Sequence, residues 1–348
     1  MIDRQEQIRL EPGPLLNENG CLAQAGWSTS AVKQYDRKAV AAGKSRIKEW
    51  DYYFVGNAHM GFALTLADNG YMGLVSASLL DFDRPAERTV SKMFWFPMGD
   101  TGLPASPDRG NSGRSGRGYS VSMQNDGQVR RLHLVLEQFR RGDDLTADLE
   151  LTDFPDDNMV IATPWADNPK AFYYNQKTLC MTARGTVTLG RQTVRFDPAD
   201  SMGLLDWGRG VWTYSNTWYW SAAQGRADGR KFGFNLGYGF GDTSSATENM
   251  VFADGKAHKL SRVTFEIPRN AKGKDNFMSP WRFTSDDGRF EADFVPVIDR
   301  KAYSSALVIC SDQNQVFGRF TGRAVLDDGT AVHFTDFPGF AEKVRNRW

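Results

Sequence analysis

Asn-Gly or Asp-Gly pairs punctuate the chain, among them Asn69-Gly70, Asp126-Gly127, Asp228-Gly229, Asp254-Gly255, Asp287-Gly288 and Asp328-Gly329. Both residue types accept the positive φ that tight hairpin turns require. Most lie between runs that alternate apolar and polar residues. ALTLADNGYMGLVSASL, SVSMQNDGQVRRLHLVLEQF, RFTSDDGRFEADFVPV and RAVLDDGTAVHFTDF each read as strand–turn–strand, and TVTLGRQTVRF repeats the form around Gly190-Arg191. A chain folded back this often by short turns lacks the long crossovers of a parallel sheet. Helical signals are confined to AVKQYDRKAVAA at 31–42 and to the C-terminal AEKVRNRW. The expected class is all-β and antiparallel, built as barrels or sandwiches.

With 348 residues the chain exceeds one ordinary domain. RFDPADSMG, at 195–203, interrupts two strand-rich halves. The expected division is an extension over 1–45, one unit over 46–200 and a second over 201–348. The segment 97–118, PMGDTGLPASPDRGNSGRSGRG, has almost no apolar anchor and is expected to be a mobile surface loop, or a lid over a cavity.

Lysine plus arginine and aspartate plus glutamate balance at 42 each, which offers phosphate backbones no net attraction. Nucleic acid is therefore not an expected partner. The charged start, MIDRQEQIRLEPG, has no secretory h-region, and no run of 18 apolar residues predicts a membrane span. Cys21, Cys180 and Cys310 lie far apart and are odd in number, so buried, reduced thiols and a cytoplasmic location are expected. The four histidines show no metal-ligand spacing, and there is no GxSxG, P-loop or framed GxGxxG. No cofactor and no metal are expected.

Chemistry concentrates in LLDWGRGVWTYSNTWYWSAAQG, residues 204–225, which holds four of the ten tryptophans. Trp212, Tyr214, Asn216, Trp218 and Trp220 share one parity and so one face of an extended strand. In the following KFGFNLGYGFG, Phe232, Phe234, Leu236, Tyr238 and Phe240 share a face opposite Asn235 and the glycines. The two strands are expected to stack aromatic against aromatic. Such rings suit a sugar or another flat ligand; the other reading is a bulky core.

Asp206 precedes Gly208 and Gly210, which would let the backbone bend there. A carboxyl in an apolar pocket serves as a general acid, whereas pairing with Arg209 would make it structural. Glu248 and Asn249 reach the same mouth or lie on a solvated loop. His59 is a lone imidazole at a strand start, read as catalytic or as a satisfied core histidine.

The ordered blocks LLDWGRGVWTYSNTWYWSAAQG, FGFNLGYGFGDTSSATENMVFADGKAHKLSRVTFE, PWRFTSDDGRFEADFVP, QVFGRFTGRAVLDDG and FAEKVRNRW resemble the DUF2804 family, and EWDYYFVGNAHMGFALTLADNGYMGLVSASLLDFD resembles its opening strands. That family is distantly similar to the AttH and carotenoid 1,2-hydratase group, whose architecture fungal Diels–Alderases share. The resemblance implies two packed lipocalin-like (calycin-like) β-barrel domains and a cavity suited to an apolar or polycyclic small molecule. It transfers no catalytic residue.

Three functions are therefore expected in turn. The first is a hydro-lyase, isomerase or cyclase with Asp206 as proton donor, Arg209 and Asn216 orienting the ligand and the tryptophans excluding water. The second is a carbohydrate-active enzyme using Asp206 and Glu248 across an open groove. The third is a binding module without chemistry.

Overall fold

The computed structural model describes residues 7–306 and 309–347. Two large sheets dominate them, each curled into an antiparallel half-barrel, and together they make a double lipocalin-like fold. The first sheet runs in the order Ala86–Trp95, Met72–Asp81, Met60–Asp68, Ile47–Gly56, Met202–Val211, Asn168–Leu189, Asp143–Thr152, Arg130–Arg140, Tyr119–Asn125 and Gly110–Gly116. The second runs Lys256–Lys259, Met250–Ala253, Arg230–Tyr238, Ser215–Ala227, Ala331–Arg347, Ile309–Val325, Phe290–Ala306, Trp281–Ser285 and Val263–Glu266. Met202–Val211, expected to open the second unit, belongs to the first sheet; the chain changes sheets at 212–214.

Each of the six pairs from Asn69-Gly70 to Asp328-Gly329 lies in a turn between paired strands, as does Gly190-Arg191. At Asp228-Gly229 both residues have positive φ, 47° and 76°, and the two-residue turn sets Ala227 opposite Arg230.

Neither expected helix forms. Within 31–42 the structure has a short strand, Lys33–Gln34, and one 3₁₀ turn, Arg37–Ala39, capped by the Asp36 carboxylate. Tyr35 between them is drawn inward, its hydroxyl donating to Glu49 Oε1 at 2.7 Å. AEKVRNRW ends the strand Ala331–Arg347, which is bonded on both edges, to Ser215–Ala227 and to Ile309–Val325. Ala341, Glu342, Lys343 and Val344 are all buried, so both faces are covered and no alternation marks this part of the strand.

The segment 97–118 is also not a free loop. Its second half forms the strand Gly110–Gly116, paired to Tyr119–Asn125. Its first half is held by Leu103, which joins the apolar core of the first half-barrel, and by polar groups. The carbonyl of Pro104 accepts from Trp207 Nε1 at 3.2 Å and Arg209 Nη2 at 2.7 Å, and that of Pro107 from Arg130 Nη2 at 2.6 Å. Buried donors need acceptors, and this backbone supplies them.

Three apolar clusters result. Leu64, Leu66, Val75, Leu134, Leu136 and Phe139 belong to the one inside the first half-barrel. Phe232, Phe234, Phe283, Phe290, Phe294 and Phe320 belong to the one inside the second. The third lies in the seam between the sheets, where Tyr52 and Phe54 meet Trp220, Phe317 and Phe340. Beside it a narrow slot lined by Phe82, Leu204, Val297 and Phe317 has a volume of about 20 Å³, room for about one water. Of the three thiols only Cys180 is buried; Cys21 and Cys310 are half-buried. Among the described residues no helix is long and apolar enough to cross a membrane.

Candidate functional site

Strand parity decides what Asp206 can reach. Positions 206 and 209 point to opposite faces of Met202–Val211. Arg209 turns into the first half-barrel, where it donates to Asp51 Oδ1 at 3.0 Å, to the Trp50 carbonyl at 2.7 Å and to Pro104, with Trp207 beneath its guanidinium. Asp206 turns into the seam. Its neighbours across the ladder are Lys177 on one side and Tyr52 on the other. Lys177 Nζ lies 2.7 Å from Asp206 Oδ1, and both side chains are buried. Asn175 Nδ2 donates to the same oxygen at 2.6 Å and Trp50 Nε1 to Oδ2 at 3.0 Å. Every partner of Asp206 is a donor, so it is the fixed acceptor of this face.

Gly208 and Gly210 share that face, and neither bends the strand, which pairs without interruption from Met202 to Val211 along Ile47–Gly56. A Cβ at Gly208 would stand 2.0 Å from Trp50 Cζ2. The missing side chain is the space through which the Trp50 ring crosses to reach Asp206.

The second sheet presents a matching row. Trp220, Glu342, Gln315 and Arg300 are successive cross-strand neighbours. Trp218 Nε1 donates to Glu342 Oε1 and Gln315 Nε2 to Oε2, each at 2.9 Å. Arg300 crosses to the first sheet and donates to Ser78 Oγ at 2.7 Å. Trp220 packs edge-on to Tyr52, lies 4.0 Å beneath Lys177 Nζ, and donates to Asn235 Oδ1 at 2.7 Å. Asn235 in turn donates to Glu248, to its carbonyl at 2.8 Å and to Oε2 at 3.3 Å.

Burial dominates the electrostatics. It pushes the Glu342 carboxyl up to about 7, against the pull of the Trp218 donor, Lys177 and Arg300. It also raises Glu248, opposed by Lys177 and Asn235 and assisted by Asp206. Tyr173 is raised by burial and then by these carboxylates. The side-chain oxygens Asn175 Oδ1 and Gln315 Oε1 are buried with no donor among the described residues. A polar guest would satisfy them.

Of the residues expected to form a site, Asp206, Glu248, Trp212, Trp218, Trp220 and Asn235 come together in or beside the seam. The others lie elsewhere. Tyr214 is 49% exposed beyond the strand end. Asn216 closes the turn at 213–216 by donating to the Thr213 carbonyl at 2.7 Å. Asn249 braces the backbone through Gly237 N and the Ser261 carbonyl. His59 is exposed and pairs with Asp83 at 3.0 Å.

The expected stacking of two aromatic faces also fails. Setting Ala227 opposite Arg230 puts odd positions of one strand beside even positions of the other. Phe232, Phe234 and Leu236 therefore face the second half-barrel, while Trp220 faces the seam beside Asn235. Tyr238 stacks on Tyr219, centroids 4.5 Å apart, on the inner side.

Lys177, Asn175, Tyr173, Trp50, Glu342, Gln315 and Arg300 were not anticipated. A usable signal exists for two of them: AFYYNQKTLCM sets Asn175 and Lys177, with Gln176 between, within an otherwise apolar and aromatic run.

The chain belongs to the DUF2804 family, a domain of unknown function, whose model matches residues 5–348. No curated protein matches the sequence. Among solved structures, an AttH-like protein of Nitrosomonas europaea superposes with a TM-score of 0.56 at 14% identity, covering 95% of this chain and 98% of that one. Kievitone hydratase of Nectria haematococca gives 0.48 at 12% identity, over 92% and 97%. CghA with Sch210972 gives 0.48 at 12%, over 96% and 97%.

Proposed function

We propose that the seam binds a small, largely apolar organic molecule and moves a proton onto or off it, the chemistry of a hydro-lyase, isomerase or cyclase. The observation that carries this reading is the meeting of two charged rows, Lys177–Asp206 and Glu342–Gln315–Arg300, inside an aromatic wall. Glu342 is the proton donor. An acid near 7 is half protonated at neutral pH, where general acid catalysis is most effective. Asp206, the donor expected from the sequence, instead holds Lys177 in place, and Lys177 polarises an oxygen of the ligand. Glu248 is the base.

For addition of water, the O–H bond of Glu342 breaks as a C–H bond forms on an alkene carbon. Water forms the C–O bond at the neighbouring carbon and passes its proton to Glu248. The tryptophans exclude other water. All three carboxyl groups are buried, which disfavours a sugar site on an open groove.

A thermal-shift screen of metabolites identifies the ligand, because binding to the native state alone raises the melting temperature. Glu342→Gln is then expected to lower kcat at least about 100-fold, with ligand affinity within about threefold. Unchanged turnover in this variant would remove the proposal.

A further inference from the structure

Phe240 occupies a box of four aromatic rings. Its centroid lies 4.6 Å from Tyr173, 4.9 Å from Trp212, 5.0 Å from Trp218 and 5.1 Å from Trp165. All four interplanar angles fall between 73° and 86°, the edge-to-face arrangement that aromatic quadrupoles favour. The four walls come from separate strands or strand ends. Phe240 itself belongs to none. It follows Arg230–Tyr238 in irregular backbone, between Gly239 at φ +89° and Gly241 at φ +78°.

The chain beyond is tied down. The Asp242 amide donates to the Pro164 carbonyl at 2.7 Å, the Ser245 carbonyl accepts from Ile8, and the Thr247 amide donates to Gln7. The backbone hold on Phe240 itself is a single long bond, Thr163 Oγ1 to its carbonyl at 3.3 Å. A ring between two glycines, anchored only by packing, can leave by rotation at 239 and 241 while its neighbours stay. The box also adjoins the acid cluster. Tyr173, one wall, stacks on Trp50, which donates to Asp206, and Trp218, another wall, donates to Glu342.

We infer that the box is the ring subsite of the ligand and that Phe240 fills it in the ligand's absence. The ligand class follows from the shape: a planar six-membered ring carrying a hydroxyl or oxo group. The ring replaces Phe240, and its oxygen faces Tyr173 and the carboxyl groups. Exchange of one ring for another leaves the walls' contacts nearly unchanged, so the swap needs no repacking of the seam. This inference rests on the proposed site and adds its occupant and its gate.

The probe is phenol, with cyclohexanol as a non-planar control of similar size. In the wild-type protein phenol is expected to quench tryptophan fluorescence saturably, at least about tenfold more tightly than cyclohexanol, and to accelerate amide exchange at 239–241. Phe240→Ala is expected to bind phenol at least about tenfold more tightly than wild type, and Phe240→Leu, which keeps more of the packing, to fall between. Saturable binding that leaves exchange at 239–241 unchanged would overturn the inference, as would equal affinity in wild type and both variants. Glu342→Gln is expected to bind phenol like wild type. Phenol binding retained together with undiminished turnover in Glu342→Gln would sink the proton-transfer reading and leave the ring subsite standing.

Discussion

Lys177 and Asp206 are each other's counter-charge in a place water does not reach. Removing one leaves the other buried and uncompensated, which typically costs about 3–5 kcal/mol. Asp206→Asn is therefore expected to destabilise the fold by about that amount in urea titrations, whereas a catalytic acid would have left stability nearly intact. Glu342 behaves oppositely. Its carboxyl titrates near 4.5 when unfolded and near 7 when folded, so between those values the native state retains a proton the unfolded chain has lost. Stability thus falls as pH rises from about 4.5 to 7, by on the order of 3 kcal/mol from this group. Glu248 adds to the same trend. Glu342→Gln is expected to flatten that slope, read by denaturant unfolding at pH 5 and pH 7.5; an unaltered slope would contradict the shift. The opposite facing of Asp206 and Arg209 was legible in their odd separation, and so was the unlikeness of their surroundings. Lys177 and Glu342 were not. The first lies in a strand wetted on neither face, and the second in a segment whose composition suits a helix.

At the scale of strands, hairpin turns made the architecture readable, because each Asn-Gly or Asp-Gly pair fixes local backbone without help from distant residues. Facing was harder. The two-residue turn at Asp228-Gly229 sets odd positions beside even ones, a register that the aromatic alternation within each strand does not itself carry. Glycines in strands carried information of a different kind. Gly208 is needed for what crosses it, not for its own conformation. Gly208→Ala is expected to displace Trp50, break its bond to Asp206 and destabilise the protein by about 1–3 kcal/mol. Thermal melts measure the loss, and an unperturbed melt would mean the ring has another path.

Across the whole molecule, the seam makes one cooperative body of two half-barrels. Phe317 and Phe340 from the second sheet pack on Phe54 from the first, and Arg300 bonds Ser78 across the gap. Calorimetry is expected to show one transition, with calorimetric and van't Hoff enthalpies equal. Phe317→Ala is expected to lower the stability of both halves together, by about 3–5 kcal/mol. Two resolved transitions in either protein would show that the halves unfold independently.

The position of Ala331–Arg347 bears on synthesis. This strand stands in the middle of its sheet, between Ser215–Ala227 and Ile309–Val325, and it carries Glu342. While residues 331–347 remain in the ribosome, the two flanking ladders have no common partner and the seam lacks the Glu342 carboxyl. A nascent chain can close its first half-barrel early, but the seam is complete only once this segment has been added between its two neighbours.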